Sequence, residues 1–200
     1  MVPGSMVYLL RHGAPVGGVR YRGTTDDPLS AEGCAQMQRA VASCRGLDRI
    51  VTSPLRRCAD FARTLAHARN LPLAVEPGFR EMHFGLWEGQ TPQALMTACP
   101  DLLRNFWADP LVHPPPGAEP LDAFRARVVD AWLAHVSTFE GRRLLLIVHG
   151  GTVRVILGYL QRISDRDLVG LSIPYASVHR VPLQQRGETG PEEQPPTDHL

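Results

Sequence analysis

The stretch VYLLRHGAP, residues 7–15, sets a run of strand-forming apolar residues directly against Arg11, His12 and a glycine. A second stretch, RLLLIVHGG at 143–151, repeats this design: its apolar run is continuous and ends at His149 and two glycines. Each run predicts a buried strand that delivers His-Gly at its carboxyl end. In open α/β sheets that edge is where ligands bind, so we expect the two histidines to meet there.

The rest of the chain predicts helices that alternate with strands. The pattern indicates helices at 31–45, 55–70, 121–139 and 152–160, and further strands at 49–53, 73–75 and 178–181. Ser30 is the expected N-cap of the first helix, and Gly141 is expected to end the third. This alternation predicts an α/β fold class, a three-layer α/β/α sandwich around a mainly parallel central sheet.

Length and charge exclude several classes of function. The 200 residues, 44% of them hydrophobic, suffice for one domain with one sizeable core. The 21 Lys and Arg against 20 Asp and Glu leave a net charge of +1, which would not recruit nucleic acid or a membrane surface. No apolar run approaches the roughly 20 residues of a membrane span, and no signal peptide is evident. We therefore expect a cytoplasmic protein without nucleic-acid or membrane partners.

The two ends of the chain differ in composition from its middle. Residues 1–5 could be the remnant of an expression tag, and we set them aside. Residues 184–200 are polar and rich in Pro, Gly and Glu, so we expect a disordered tail. The predicted domain therefore spans residues 6–183. Cys34, Cys44, Cys58 and Cys99 lack metal-like spacing, and we assign them no chemistry.

The residues at the shared sheet edge favour a phosphate site. Gly13, Gly150 and Gly151 permit tight turns and let backbone N–H groups approach a ligand. The helix that begins near Thr152 would point its N-terminus at the same place, and helix N-termini bind anions. Arg11 is always charged, which is costly at the end of a buried strand unless an anion or a carboxylate partners it. A single His-Gly at a strand end is more often structural, so the predicted phosphate site depends on the presence of two of them.

Five motifs follow one another along the chain. They are RHG (11–13), GTTDDPLSAEG (23–33), TSPLRRC (52–58), REMHFGLWEG (80–89) and VHGG (148–151). In this order they resemble the histidine phosphatase superfamily, also called phosphoglycerate mutase-like, and the resemblance runs from about Val7 to Val181. It implies a phosphoric monoester hydrolase that forms a phosphohistidine.

The resemblance implies roles for five residues. His12 would be phosphorylated, and Glu81 would protonate the leaving group and then accept a proton from the attacking water. Arg11, Arg57 and His149 would neutralise the phosphate oxygens. Since these groups supply the positive charge, neither a metal ion nor another cofactor is expected.

The chain departs from the family at one place. Many members carry Glu-Thr after RHG and an asparagine six residues after the nucleophile, where this chain has Ala14, Pro15 and Gly18. Backbone N–H groups or Arg22 could replace that asparagine. The expected substrate-binding residues are Gly13, Arg22, Gly23 and Gly150.

Within the superfamily, SPLRRCADFA, FGLWEG and HPPPGAEPLDAFRARV resemble the α-ribazole-5′-phosphate phosphatases of cobalamin biosynthesis. This implies α-ribazole-5′-phosphate, or adenosylcobalamin 5′-phosphate, as the small-molecule partner. The alternatives left open are a broad sugar or nucleotide phosphatase, a phosphoglycerate mutase-type enzyme, a phosphoprotein phosphatase and a non-catalytic phospho-ligand binding protein. Met82 disfavours the mutase, because mutases carry arginine after the catalytic glutamate. The oligomeric state stays open.

Two further expectations concern the surroundings of the site. The proline-rich segment 110–120 predicts a stiff loop that, with Val16–Tyr21, could form a partly apolar lid. For Arg154 the simplest account is a salt bridge. Trp87, Phe106 and Trp107 could line a pocket or fill the core, and we expect them to fill the core.

Overall fold

The computed structural model describes residues 4–137 and 142–183. The predicted tail at 184–200, the predicted helix stop at Gly141 and most of segment 1–5 lie outside the described residues. Ser5 is described and begins the first strand, so the sheet includes the last of the five residues that we set aside.

One five-stranded sheet forms the centre of the fold, in the order β3-β2-β4-β1-β5. The strands are β1 (Ser5–Arg11), β2 (Arg49–Thr52), β3 (Leu73–Val75), β4 (Arg143–Val148) and β5 (Val178–Leu183). The first four are parallel and β5 is antiparallel to β1, which confirms the mainly parallel sheet. Arg11 lies in register with Val148, so His12 and His149 leave neighbouring strands side by side.

Six α-helices surround the sheet in the described part of the chain. They are α1 (Ala31–Val41), α2 (Arg56–Arg69), α3 (Pro92–Ala98), α4 (Pro100–Ala108), α5 (Leu121–Val136) and α6 (Gly150–Gln161). Helices α3 and α4 were not predicted. None of the helices in residues 4–137 and 142–183 is both long and apolar enough to cross a membrane.

The helix ends follow local chemistry. The Ser30 side chain caps α1 by accepting from the Gly33 N–H, as expected. Helix α1 ends at Val41, four residues earlier than predicted. Arg69 donates to the carbonyl of Val41 and to that of Cys44, which lies just beyond the helix. Helix α2 ends at Arg69, and the next residue, Asn70, is its C-cap with the left-handed φ of 50°.

Two apolar layers cover the two faces of the sheet. Alternate residues of β1 point to opposite faces: Val7 and Leu9 pack with α5 and α6, whereas Tyr8 and Leu10 pack with α1 and α2. All five residues of Leu144–Val148 are fully buried, as predicted for a strand covered on both faces. This arrangement is the expected three-layer sandwich.

The proline-rich segment between α4 and α5 contains no helix or strand, as predicted. It packs on the loop that follows Glu81: the Leu86 N–H donates to the Pro116 carbonyl, and the Glu119 N–H donates to the His83 carbonyl. The segment therefore lies beside the carboxyl edge of the sheet.

Candidate active site

His12 stands at the carboxyl end of β1, where its backbone N–H donates to the Val148 carbonyl at 2.9 Å. Its side chain is 5% exposed, and its Nδ1 lies 2.7 Å from the Gly13 carbonyl oxygen. A carbonyl oxygen can only accept, so Nδ1 carries the proton and Nε2 keeps its lone pair. Burial, and then the charges of Arg57 and Arg11, hold the pKa of His12 well below its ordinary value. The imidazole is therefore neutral and nucleophilic at neutral pH.

A cavity of about 290 Å³ adjoins His12. Five of the nine predicted site residues line it, namely Arg11, His12, Arg22, Glu81 and Gly150. Unpredicted neighbours also line it, among them Arg20, Tyr21, Arg154 and Tyr175. The other predicted residues, Gly13, Gly23, Arg57 and His149, are not among the lining residues.

Arg57 and His149 form a buried layer against His12. Both are fully buried, and the rings of His149 and His12 have centroids 5.2 Å apart in an edge-on arrangement. Arg57 Nε donates to His149 Nδ1 at 3.2 Å, so the His149 proton sits on Nε2, 2.6 Å from Ser53 Oγ. Burial, then Arg57 and His12, hold the pKa of His149 well below its ordinary value. Both nitrogens of His149 are therefore bonded to protein groups.

Arg11 is held over an aromatic ring. Its guanidinium carbon lies 4.1 Å from the centre of the Tyr175 ring, and its Nη1 donates to the Ile173 carbonyl. Burial lowers the pKa of Arg11. Its Nε is buried and has no hydrogen-bond partner in the described part of the chain. A Cβ on Gly150 would lie 3.3 Å from this Nε, so the glycine leaves room around an unpartnered donor.

Arg22 shapes the segment where the family asparagine is missing. Its Nε pairs with Asp27 at 2.7 Å, and its two terminal nitrogens donate to the carbonyls of Gly18 and Val16, both at 2.6 Å. The side chain is buried and lines the cavity. Arg22 thus holds this loop in place while presenting its charge to the same cavity as His12.

Gly13 and Gly23 allow close approaches between segments. A Cβ on Gly13 would lie 2.2 Å from the Gly33 carbonyl oxygen, and one on Gly23 would lie 1.9 Å from that of Met82. The Gly23 N–H donates to Glu88 at 2.9 Å. The structure therefore uses the Gly23 N–H inside the protein, and both glycines are required by packing.

Glu88 fixes the loop that supports Arg57. Its carboxylate accepts from the backbone N–H groups of Gly23, Thr24, Thr25 and Phe84. Burial raises the pKa of Glu88, but these hydrogen bonds outweigh it and lower the pKa overall. The carbonyls of Thr25 and Gly23 in turn accept from Arg57 at 2.7 and 3.0 Å. Glu88 therefore orients the acceptors that hold Arg57.

Glu81 meets the first turn of α6 across the cavity. One of its oxygens accepts from the Gly151 N–H at 2.9 Å, and the other accepts from the Met82 N–H at 3.0 Å. A Cβ on Gly151 would lie 2.2 Å from Glu81 Oε1, so only glycine leaves the carboxylate where it is. Glu81 is 9% exposed and lines the cavity beside His12 and Arg11.

Arg127 on α5 holds the loop that carries Glu81. Its guanidinium forms a bidentate pair with Glu119, at 2.7 and 2.8 Å. It also donates to the carbonyls of Gly78 and Arg80, both at 2.8 Å, and to that of Glu81 at 3.1 Å. Helix α5 thus fixes the backbone at Glu81, the expected proton donor.

The salt bridge expected for Arg154 is absent from the described residues, and that expectation is wrong. Arg154 Nε donates to the Leu171 carbonyl at 2.9 Å, and burial lowers the pKa of Arg154. Its side chain lines the cavity. The signal that could have identified it is its spacing, because Gly150 and Arg154 lie on the same face of α6.

Sequence reasoning also assigned no role to Ser53 or Tyr175, and it gave Tyr21 only a place at the end of the possible lid segment Val16–Tyr21. The position of Ser53 at the end of β2, next to the strand that ends at His149, was an available signal. Tyr21 and Tyr175 lie in loops, where no periodicity marks a residue. Among residues 4–137 and 142–183, no group of three or more His, Cys, Asp or Glu side chains is arranged to hold a metal ion.

The chain is similar to known phosphatases and mutases over most of its length. The adenosylcobalamin/alpha-ribazole phosphatase of Escherichia coli (strain K12) is 31% identical over 163 residues, 77% of this chain and 78% of that protein. The 2,3-bisphosphoglycerate-dependent phosphoglycerate mutase of Rhizobium etli is 27% identical over 191 residues, 88% and 91% of the two chains. The solved structure of mycobacterial glucosyl-3-phosphoglycerate phosphatase Rv2419c with VO3 has a TM-score of 0.78 and 27% identity, and the match covers 88% of this chain and 91% of that one.

These similarities confirm the expected fold class and agree with a phosphoric monoester hydrolase. The sequence profile of the histidine phosphatase superfamily (branch 1) matches residues 7–190, which include His12, Glu81 and His149. The chain belongs to the histidine phosphatase superfamily.

Proposed function

We propose that this protein hydrolyses phosphomonoesters through a phosphohistidine on His12, with α-ribazole-5′-phosphate as its preferred substrate. The observation that carries the proposal is the state of His12. Its Nδ1 proton is held by the Gly13 carbonyl, and its imidazole is kept neutral beside Arg11 and Arg57. Its Nε2 lone pair is thus ready to attack phosphorus.

In the first step, His12 Nε2 forms a bond to phosphorus while the bond from phosphorus to the leaving oxygen breaks. Glu81 gives its proton to that oxygen, and the alcohol leaves. Arg11 and Arg22 line the same cavity and offset the charge of the phosphoryl oxygens. The unpartnered Nε of Arg11 would find its acceptor in one of these oxygens.

In the second step, water attacks the phosphorus and the phosphorus–nitrogen bond breaks. The Glu81 carboxylate takes a proton from this water, and inorganic phosphate leaves. Neutral His12 and protonated Glu81 are then restored, so one water is consumed in each cycle. The protein's own guanidinium groups supply the positive charge, so activity is expected to persist in excess EDTA.

The remaining predicted residues act around the nucleophile in this proposal. Arg57, buried behind His12, favours the neutral form of His12 and adds positive potential at the phosphoryl group. The neutral His149 packs edge-on against the His12 ring and helps to hold it in position. Gly150 leaves space for the phosphate beside Arg11. Gly13 and Gly23 keep the loops that carry His12 and Arg22 in close contact with their neighbours.

The phosphoenzyme is tested by rapid quench with labelled substrate, which is expected to trap an acid-labile, base-stable phosphate on the wild-type protein. His12→Ala is expected to abolish trapping and turnover, and the exposed His113→Ala serves as the matched control. Comparable turnover by His12→Ala would overturn the assignment of the nucleophile. Binding of phosphomonoesters without turnover by the wild type would instead favour the non-catalytic binding protein.

The substrate is tested with a panel of phosphomonoesters. The motifs shared with α-ribazole-5′-phosphate phosphatases and the similarity to the E. coli phosphatase support this choice. We expect a kcat/KM for α-ribazole-5′-phosphate at least about tenfold above AMP, 3-phosphoglycerate and fructose phosphates, which is roughly 1.4 kcal/mol. A flat profile would favour a broad phosphatase, and a preference for 3-phosphoglycerate would favour the mutase-type enzyme.

A further inference from the structure

A second cavity, of about 220 Å³, opens beside the catalytic one; we call it the ring cleft. The two cavities share four lining residues, namely Tyr21, Glu81, Phe84 and Arg154. Glu81, the expected proton donor to the leaving group, therefore stands where the two spaces meet. A substrate whose phosphate lies at His12 would extend its alcohol portion towards the ring cleft.

The walls of the ring cleft are largely apolar, and a third of the lining residues are aromatic. Five aromatic side chains line it, namely Tyr21, Phe84, Phe106, Trp107 and Phe124. They include a packed group: the Tyr21 ring lies 5.1 Å from that of Phe84 and 6.3 Å from that of Phe106. Asp165 also lines the cleft, but Arg125 offsets its charge at 3.1 Å. Such walls favour a flat, weakly polar ring.

Polar groups lie between the aromatic walls and His12. Tyr21 Oη accepts from Trp107 Nε1 at 3.0 Å, so the Tyr21 hydroxyl hydrogen can still be donated. Arg154 uses its Nε on the Leu171 carbonyl and lines both cavities. From His12 outwards, the site thus offers arginine charge, then hydrogen-bond donors, then aromatic faces.

We infer that the ring cleft binds a planar bicyclic heteroaromatic ring of the leaving group, with Tyr21 and Arg154 binding hydroxyl groups between that ring and the phosphate. The inference rests on the proposed phosphatase function and names its substrate class: 5′-phosphorylated ribosides that carry an aromatic base. The volume agrees, because a cavity of about 150 Å³ already accepts benzene.

The test compares α-ribazole-5′-phosphate with ribose 5-phosphate, which presents the same phosphate and sugar without the ring. Trp107 is 43% exposed, so Trp107→Ala removes one wall of the cleft at little cost to the core. We expect this variant to lower the ratio of the two kcat/KM values, ring-bearing over ringless, at least about fivefold. Trp107→Phe, which keeps an aromatic face but loses the hydrogen bond to Tyr21, is expected to retain most of the ratio.

Two further variants make the test decisive. Leu102→Ala removes a half-exposed apolar side chain from the same helix α4, outside the cleft, and is expected to leave both kcat/KM values unchanged. Val169→Trp fills the cleft and is expected to lower the ratio as Trp107→Ala does. An unchanged ratio in both Trp107→Ala and Val169→Trp would overturn the ring cleft while the phosphohistidine stands. If the wild type hydrolysed neither of the two esters, the proposed function itself would be overturned.

Discussion

His12 remains an uncharged base although arginines surround it. Its burial removes the water that would stabilise an imidazolium, and the charges of Arg57 and Arg11 oppose protonation further. The arginines that would attract the phosphate thus also keep the nucleophile deprotonated. One set of charges serves both the binding of the phosphate and the activation of the nucleophile.

Glu81 is predicted to matter most where the leaving group is poor. Glu81→Gln keeps the size of the side chain but cannot donate a carboxyl proton, so we expect single-turnover rates for an alkyl phosphate to fall by about 10²-fold or more. An aryl phosphate such as p-nitrophenyl phosphate needs little protonation and should lose less. The exposed Glu32→Gln is the control, and equal losses on the two esters would remove Glu81 from the acid role.

Gly151 is predicted to be irreplaceable for a steric reason. Gly151→Ala would set a Cβ 2.2 Å from Glu81 Oε1 and displace the carboxylate, and a shift near 1 Å can cost roughly 10²-fold in rate. We therefore expect kcat for an alkyl phosphate to fall by about that factor while thermal stability changes little. Gly170→Ala, where a Cβ meets nothing within 4 Å, is the matched control. Full activity of Gly151→Ala would contradict the geometry.

At the scale of elements, α5 is predicted to position the acid through Arg127. Arg127→Lys keeps the charge but cannot bind Glu119 bidentately and reach three carbonyls as well. We expect kcat/KM for an alkyl phosphate to fall at least about tenfold, and more than for p-nitrophenyl phosphate, because the displaced group is the proton donor. A purely structural role would lower both alike. The exposed Arg63→Lys on α2 is the control.

The sequence predicts the long elements well because their patterns are long. Helix α5 repeats apolar residues over 16 positions, and β4 is continuously apolar. Helices α3 and α4 were missed because they span 7 and 9 residues and bury few side chains: Leu95, Leu103 and Phe106. The sequence does carry signals for where both helices begin, since each has proline at its first helical position and Thr91 caps α3.

The site was predictable where it depends on strand ends and motifs. The sequence indicates that His12 and His149 meet because parallel strands deliver them to one edge, and the rings lie 5.2 Å apart. It does not indicate that Arg57 donates to His149, or that Tyr21 joins the two cavities. The first contact depends on where a side chain in the first turn of α2 points, and the second depends on how the loop that carries Tyr21 folds back on the sheet. Neither leaves a periodic signal in the sequence.

At the scale of the whole molecule, two buried neutral histidines predict a loss of stability in acid. His12 and His149 have pKa values well below that of an unfolded histidine, about 6.5. At a pH below the pKa of the unfolded histidine, the unfolded chain binds protons that the folded chain does not. The free energy of unfolding therefore decreases as the pH decreases. The expected slope is up to ~1.4 kcal/mol per pH unit for each histidine.

Urea unfolding between pH 5 and pH 8 measures this slope. His12→Gln is expected to remove about one histidine's share of the slope, whereas the exposed His113→Gln should leave the slope unchanged. A wild-type free energy of unfolding that stays constant from pH 7 to pH 5 would contradict the prediction.

The two edges of the sheet bear on self-association. The Met6 N–H donates towards β4 and not towards β5. Pro182 lies in register with Met6 on β5, so its backbone nitrogen points away from β1, to the open edge of the sheet. Proline has no hydrogen to offer there, and the opposite edge strand, β3, is three residues long. Within residues 4–137 and 142–183, neither edge presents a long row of free donors to a strand from another chain, so these edges resist edge-to-edge aggregation at high concentration.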